Sequence, residues 1–160
     1  MQLALGDALA IVLLKRRGFG ASEFGDFHPR GKLGAALTCL RDIMHRDEAL
    51  PLAPPDCPMS DAIVRMTEKG FGCLGIVGDD GKLAGIITDG DLRRHMDDGL
   101  LTRTAADIMT HTPKTLGQDA LAADALRLMN DSHIQCLFVC EAGRPVGLVR
   151  ILDLLHIGIA

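Results

Sequence analysis

The sequence repeats itself. "GIITDGDLRR", beginning at Gly85, returns as "GLVRILDLLH", beginning at Gly147, a shift of 62 positions (147 − 85). Upstream, "AIVRMTEKGFGCLGIV" faces "ALRLMNDSHIQCLFVC", with Met66 and Met129 separated by 63. The openings "DIMHRDEALPL" and "DIMTHTPKTLG" place Asp42 and Asp107 65 positions apart. The shift changes only in loops, so these are two copies of one unit. A unit of that length is marginal alone, because too little apolar surface is removed from water. Packing a second copy against it completes a core. The duplication therefore has a structural reason before any functional one.

Each copy reads strand, helix, strand, strand, helix. A short strand follows Asp-Ile-Met. "PPDCP" and "GQD" then announce a helix, with Pro58 or Ala120 at its first position. Its apolar face is Met59, Ala62, Ile63 and Met66 in one copy and Ala122, Ala125, Leu126 and Met129 in the other. "CLGIV" and "CLFVC" are strands, and the turns "DDGK" and "EAGR" place Gly where a left-handed residue is wanted. "LAGIIT" and "PVGLVR" lead as strands into a final helix starting near Asp91 or Asp153. These elements predict an α/β (α+β) fold of two β-α-β-β-α repeats, over residues 41–100 and 105–160, packed with pseudo-two-fold symmetry. Ahead of them, Leu3, Asp7, Ile11 and Leu14 have helical spacing and Gly18 supplies a stop, which predicts a helix over 2–17. A Gly-rich loop follows, and "KLGAAL" reads as a short helix.

Composition excludes several classes of function. There is no Trp or Tyr, and aromatic residues make up 3% of the 160, so the core is aliphatic and single-strand binding by base stacking is disfavoured. A net charge of −4 argues against a phosphate-backbone binder, so no nucleic-acid partner is expected. No apolar run has the length of a membrane span, and no membrane partner is expected. The opening "MQLALGDALAIVLLKRRG" is not read as a signal peptide, because Asp7 interrupts it and its cations follow the apolar part. The five cysteines, Cys39, Cys57, Cys73, Cys136 and Cys140, show no Cys-x-x-Cys spacing. They read as reduced thiols of a cytoplasmic protein rather than a zinc site or disulfide framework. His95, His111, His133 and His156 are scattered, so neither a metal nor any other cofactor is called for.

The candidate binding residues lie where the copies differ. Thr88 and Asp91 fall at a strand end and a helix start, where free N–H groups attract anions. A threonine hydroxyl donates to a phosphate, and a carboxylate accepts from both hydroxyls of a ribose. Equally, either residue caps the helix, in which case Asp91→Ala costs about 1 kcal/mol. In the second copy the threonine is replaced by Arg150, three positions before Asp153. A guanidinium there meets an acidic ligand, or else points outward or pairs with a neighbouring acid.

These motifs resemble a tandem pair of CBS domains, modules that bind adenosine nucleotides and other phosphorylated ligands in a cleft between two copies. The "Asp-Ile-Met" openings, "GDDGKLAGIITDGDLRR" and "EAGRPVGLVRILDLL" carry the resemblance. The family's pattern is Gly, two apolar residues, Thr or Ser, two of any kind, Asp. Gly85, Thr88 and Asp91 fill it, whereas Gly147 and Asp153 keep it with Arg150 as a departure. The resemblance implies a cleft lined by Phe71, Gly72, Leu74, Thr88 and Asp91 from one copy, and by Ile134, Gln135, Leu137, Arg150 and Asp153 from the other.

"LALGDALAIVLLKRRGF" and "FGDFHPRGKLG" resemble the end of a sugar isomerase (SIS) domain running into its CBS pair, the order found in arabinose-5-phosphate isomerases. Residues 1–40 are then a remnant of that domain, and His28, followed by Pro29, is implied as an active-site residue only within a full isomerase. Moving a proton between adjacent carbons needs a placed base and a phosphate site, so these residues alone are expected to be inactive. The resemblance implies a regulatory module for Kdo and lipopolysaccharide synthesis, with a nucleotide or nucleotide sugar such as CMP-Kdo as ligand, and a homodimer or higher homo-oligomer. The alternative is a dimerisation module without a ligand.

Overall fold

The computed structural model describes residues 37–97 and 99–159, together with Val12, Leu13 and Arg16, which are helical and exposed. The remainder of the helix expected over 2–17, the Gly-rich loop with His28, and "KLGAAL" up to Ala36 lie outside the described residues.

The first repeat runs β1 (Leu52–Ala53), α1 (Met59–Lys69), β2 (Cys73–Val77), β3 (Leu83–Thr88) and α2 (Asp89–Arg94). A linking segment forms α3 (Ala105–Ile108) and β4 (Thr110–His111). The second repeat runs β5 (Thr115–Leu116), α4 (Ala122–Ser132), β6 (Cys136–Glu141), β7 (Arg144–Arg150) and α5 (Ile151–His156). One sheet has the order β1-β2-β3-β4 and the other β5-β6-β7. In each, the short first strand is parallel to the second, and the hairpin strands are antiparallel.

The expected faces form. Met59, Ala62 and Met66 of α1 and Ala122, Ala125 and Met129 of α4 are buried, with Ile63 and Leu126 packed beside them. α1 stops at Gly70, which takes the left-handed φ of +68° that glycine adopts without penalty. At the equivalent stop of α4 stands His133, at φ +54°. Both hairpin turns use the expected glycines, Gly81 at +76° and Gly143 at +81°.

The long helices begin later than the sequence predicts. Pro58 and Leu121 are the residues just outside α1 and α4, and Ala120 lies one further out. The cause is pairing across the repeats. Met59 donates its N–H to Arg103 O at 2.9 Å and Ala105 donates to Cys57 O at 2.8 Å, which holds Pro58 extended. Ala122 donates to Thr38 O at 2.8 Å and Leu40 to Ala120 O at 2.9 Å, which does the same for Leu121. The final helices begin two residues before Asp91 and Asp153, at Asp89 and Ile151.

That pairing shows how the copies are joined. The stretch before each repeat packs into the other repeat. His45 bridges Leu148 of β7, and Thr110 of β4 pairs with Ile86 of β3. Leu40 and Met44 belong to the second repeat's core, while Leu100, Ala105 and Ile108 belong to the first repeat's. The methionine of each Asp-Ile-Met lies over the glycine that opens the other copy's motif. A Cβ on Gly147 would fall 2.2 Å from Met44 Sδ, and one on Gly85 2.5 Å from Met109 Sδ. Only a residue with no side chain permits that approach. A third cluster fills the space between the sheets, where Phe138 of β6 occupies the room left by its counterpart Gly75, whose Cβ would lie 2.7 Å from Phe138 Cζ.

Candidate functional site

The motif carboxylates sit in two corners, each built from both repeats. In the first, Thr88 ends β3 and caps α2. Its N–H donates to Asp91 Oδ2 at 2.8 Å and its hydroxyl to the same oxygen at 2.6 Å. The Asp91 N–H is 3.4 Å from Thr88 Oγ1, which closes a reciprocal cap. From across the repeat boundary, Thr110 donates to Asp91 Oδ1 at 3.0 Å, and the Arg94 guanidinium pairs with that oxygen. Asp91 is 3% exposed. Burial pushes its carboxyl up, but the hydrogen bonds from Thr88, Thr110 and Arg94 outweigh this and hold it below the ordinary carboxylate range.

The second corner is its counterpart. Arg150 ends β7, and its N–H donates to Asp153 Oδ2 at 2.8 Å. The guanidinium replaces the missing hydroxyl: Nε lies 3.3 Å from Oδ2 and a terminal nitrogen 3.0 Å from Oδ1. His45, from the stretch before the first repeat, places Nε2 3.1 Å from Asp153 Oδ2. Phe71 of the first repeat closes the corner, with the Arg150 Cζ 5.1 Å from its ring centre and His45 edge-on at 4.9 Å. Asp153 is also held low. Burial raises its carboxyl, and the bonds from Arg150 and His45 prevail. Of the placements open to Arg150, the structure shows the pairing with an acid.

The expected site residues divide. Phe71, Arg150 and Asp153 come together, as do Thr88 and Asp91. Gly72 accepts from the Asp89 N–H at 3.2 Å and Gln135 from the Ile151 N–H at 3.0 Å, so both flank the corners through their carbonyls. Ile134 packs at the edge of the second core. The side chains of Leu74 and Leu137 are each buried in their own repeat's core. The helix-dipole contribution expected at these corners is also small, because α2 and α5 have only six residues each and few aligned peptides to sum.

Sequence reasoning missed His45 and Thr110. Their signal was present, since each follows the methionine of an Asp-Ile-Met opening. Two cavities border the stretch before β1. One, of about 370 Å³, is lined by Leu50, Pro51, Leu52, Arg65, Glu68 and Lys69. The other, of about 520 Å³, lies between the repeats and includes Met44, Arg46, Asp47, Gln118 and Glu141. Neither is lined by Thr88, Asp91, Arg150 or Asp153. Among the described residues no cluster of three His, Cys, Asp or Glu side chains is arranged for a metal ion. No helix there is long and apolar enough to cross a membrane.

Two interlocked β-α-β-β-α units, each contributing one capped carboxylate, make a tandem CBS pair. Residues 40–98 and 105–159 match the CBS domain family, and the chain belongs to it. Along its length the chain is similar to the arabinose 5-phosphate isomerase KdsD of Pseudomonas aeruginosa, 45% identical over 161 residues that cover 98% of this chain and 49% of that protein. The KdsD protein of Escherichia coli K12 is 39% identical over 160 residues, with the same coverage. The chain thus spans about half the length of the curated relatives it matches. Among solved structures, the CBS domain pair of protein MJ0100, in complex with 5'-methylthioadenosine and S-adenosylmethionine, superposes with a TM-score of 0.68 at 25% identity. That match covers 75% of this chain and 94% of that one.

Proposed function

We propose that this chain is the ligand-sensing CBS pair of a cytoplasmic sugar-phosphate isomerase of the arabinose-5-phosphate type, and that it binds a nucleotide or nucleotide sugar between its repeats. The observation that carries the reading is the construction of the corners. Each motif carboxylate belongs to one repeat and takes a hydrogen bond from the other, through Thr110 or His45. A ligand that replaces those bonds changes how the repeats sit against each other, which is what a sensor requires. The adenosine derivatives bound by MJ0100 support the ligand class.

The corners favour different ligands. Thr88 and Asp91 offer a hydroxyl and a carboxylate to a ribose phosphate. At the second corner, a ribose hydroxyl must compete with Arg150 for Asp153, whereas an acidic group gains from drawing the guanidinium to itself. A nucleotide sugar with a carboxylate, such as CMP-Kdo, offers both. Thermal-shift measurements with AMP, ATP, CMP and CMP-Kdo test this. A ligand at one hundred times its dissociation constant adds about 2.7 kcal/mol of stability. CMP-Kdo is expected to exceed CMP, and Arg150→Ala to abolish the difference.

A purely structural role is favoured by a different observation. Both carboxylates are already satisfied by the chain's own side chains. That role predicts no shift with any of the four compounds, and a homo-oligomer whose mass in light scattering ignores nucleotide.

A further inference from the structure

Each repeat carries a cysteine at the same position. Cys73 opens β2 and Cys136 opens β6, 63 residues apart (136 − 73), the shift that relates the copies in this region. Under a pseudo-two-fold, residues near the axis meet their own counterparts, and these two do. Both are buried in the cluster between the sheets, among Leu50, Phe138 and Leu148. They stand as counterparts in that one small cluster, near enough for each thiol to bias the ionisation of the other. The register ties each to a corner, because Cys73 pairs with Thr88 across one hairpin and Cys136 with Arg150 across the other.

We propose that Cys73 and Cys136 form an oxidisable dithiol, a modification site at which a peroxide joins the two repeats through a disulfide. The thiolate of one cysteine attacks a peroxide oxygen. The O–O bond breaks, a sulfenic acid forms, and the departing oxygen leaves as water with the first thiol's proton. The second thiol attacks that sulfur, the S–S bond forms, and the sulfenic oxygen leaves as water with the second proton. The two thiols lose two electrons, and one hydrogen peroxide accepts them to give two waters.

Cys136 suits the first step. It is 8% exposed against 0% for Cys73, so a small oxidant reaches it first. The adjacent Cys73 thiol favours its thiolate and lowers its pKa against the opposing effect of burial. Cys73, beside that sulfur and buried, is pushed up. The neighbouring Cys140 is pushed up to about 11 by burial, stays a thiol at neutral pH, and competes poorly. The bond would fix the start of β2 to the start of β6 and hold both corners at one separation.

The test treats the full 160-residue chain with hydrogen peroxide, alkylates it after denaturation and maps the peptides. The expected result is a Cys73–Cys136 linked peptide, an intact mass lower by two hydrogens, no covalent dimer on a non-reducing gel, and a raised thermal midpoint that dithiothreitol reverses. Cys140→Ser keeps the link and Cys136→Ser loses it. The proposal is overturned if both thiols remain open to alkylation, if each oxidises separately to a sulfinic acid, or if the link forms between chains or through Cys140.

Discussion

Gly147 and Met44 test how the copies are joined. A methyl group at position 147 would lie 2.2 Å from Met44 Sδ, 2.8 Å from Cγ and 3.1 Å from Cβ. Unstrained contacts between such atoms lie at about 3.5–4.0 Å. The methionine relieves part of the overlap by rotating its flexible end. Its Cβ has no such freedom, because the adjoining backbone is tied down: His45 N donates to Leu148 O at 2.9 Å and Leu148 N to His45 O at 3.0 Å. Overpacking of this kind costs about 1–3 kcal/mol, and the better strand residue returns about 0.5–1 kcal/mol. Gly147→Ala is therefore expected to lose about 1–2 kcal/mol in urea unfolding followed by circular dichroism. Met44→Ala removes a side chain that is 8% exposed and is expected to lose about 2–4 kcal/mol. In the double variant the new methyl occupies space the methionine has left, so the combined loss falls short of the sum by at least about 1 kcal/mol. Independent sites add to within about 0.5 kcal/mol. Additivity here would refute the packing account and leave the motif glycine without its reason.

Three further outcomes follow from the corners and caps. Asp91→Ala is expected to lose about 1.5–3 kcal/mol, more than a surface cap, because it removes a buried carboxylate that accepts from the half-buried Thr88 and, across the repeat boundary, from Thr110; a loss under about 1 kcal/mol in chemical denaturation would contradict the cross-repeat bond. Asp91 and Asp153 both titrate below their ordinary value in the folded chain, so on acidification the unfolded chain takes up those protons first. Their stabilisation is complete above the unfolded value of about 3.9 and is lost as pH falls through the folded values. Asp91→Asn and Asp153→Asn should each flatten the dependence of stability on pH below about 4, and an unchanged slope in acid titrations would be against it. His133→Gly is expected to gain up to about 1 kcal/mol by relieving the left-handed backbone at the end of α4, read as a raised thermal midpoint.

The repeat made most of the fold legible. Element order, helix faces and hairpin glycines all follow from periods that one copy confirms in the other. The pairing between copies was not legible, because two stretches with the same grammar satisfy either repeat's edge equally well. Nothing in "DIMH" or "DIMT" says whether its methionine faces Gly85 or Gly147. The same ambiguity hid His45 and Thr110, whose role exists only once the stretches cross over. The direction of the Leu74 and Leu137 side chains was not legible for a different reason. β2 and β6 are covered on both faces, so their apolar runs do not reveal which side faces the cleft. Arg150 stood out as a departure, but its bidentate grip on Asp153 depends on a side-chain conformation that spacing does not specify.

The crossing stretches also order events in time. As the chain leaves the ribosome, Thr110 finds Ile86 only 24 residues behind it (110 − 86), so the first repeat can close soon after β4 emerges. His45 must wait for Leu148, 103 residues further on (148 − 45). Closing the longer loop costs more chain entropy, and such distant contacts slow folding. Pulsed hydrogen exchange during refolding should therefore find the β3–β4 amides protected before those of His45 and Leu148. Until that last seam closes, Met44 lacks its glycine and Asp153 lacks its histidine. The second corner is thus expected to assemble after the first.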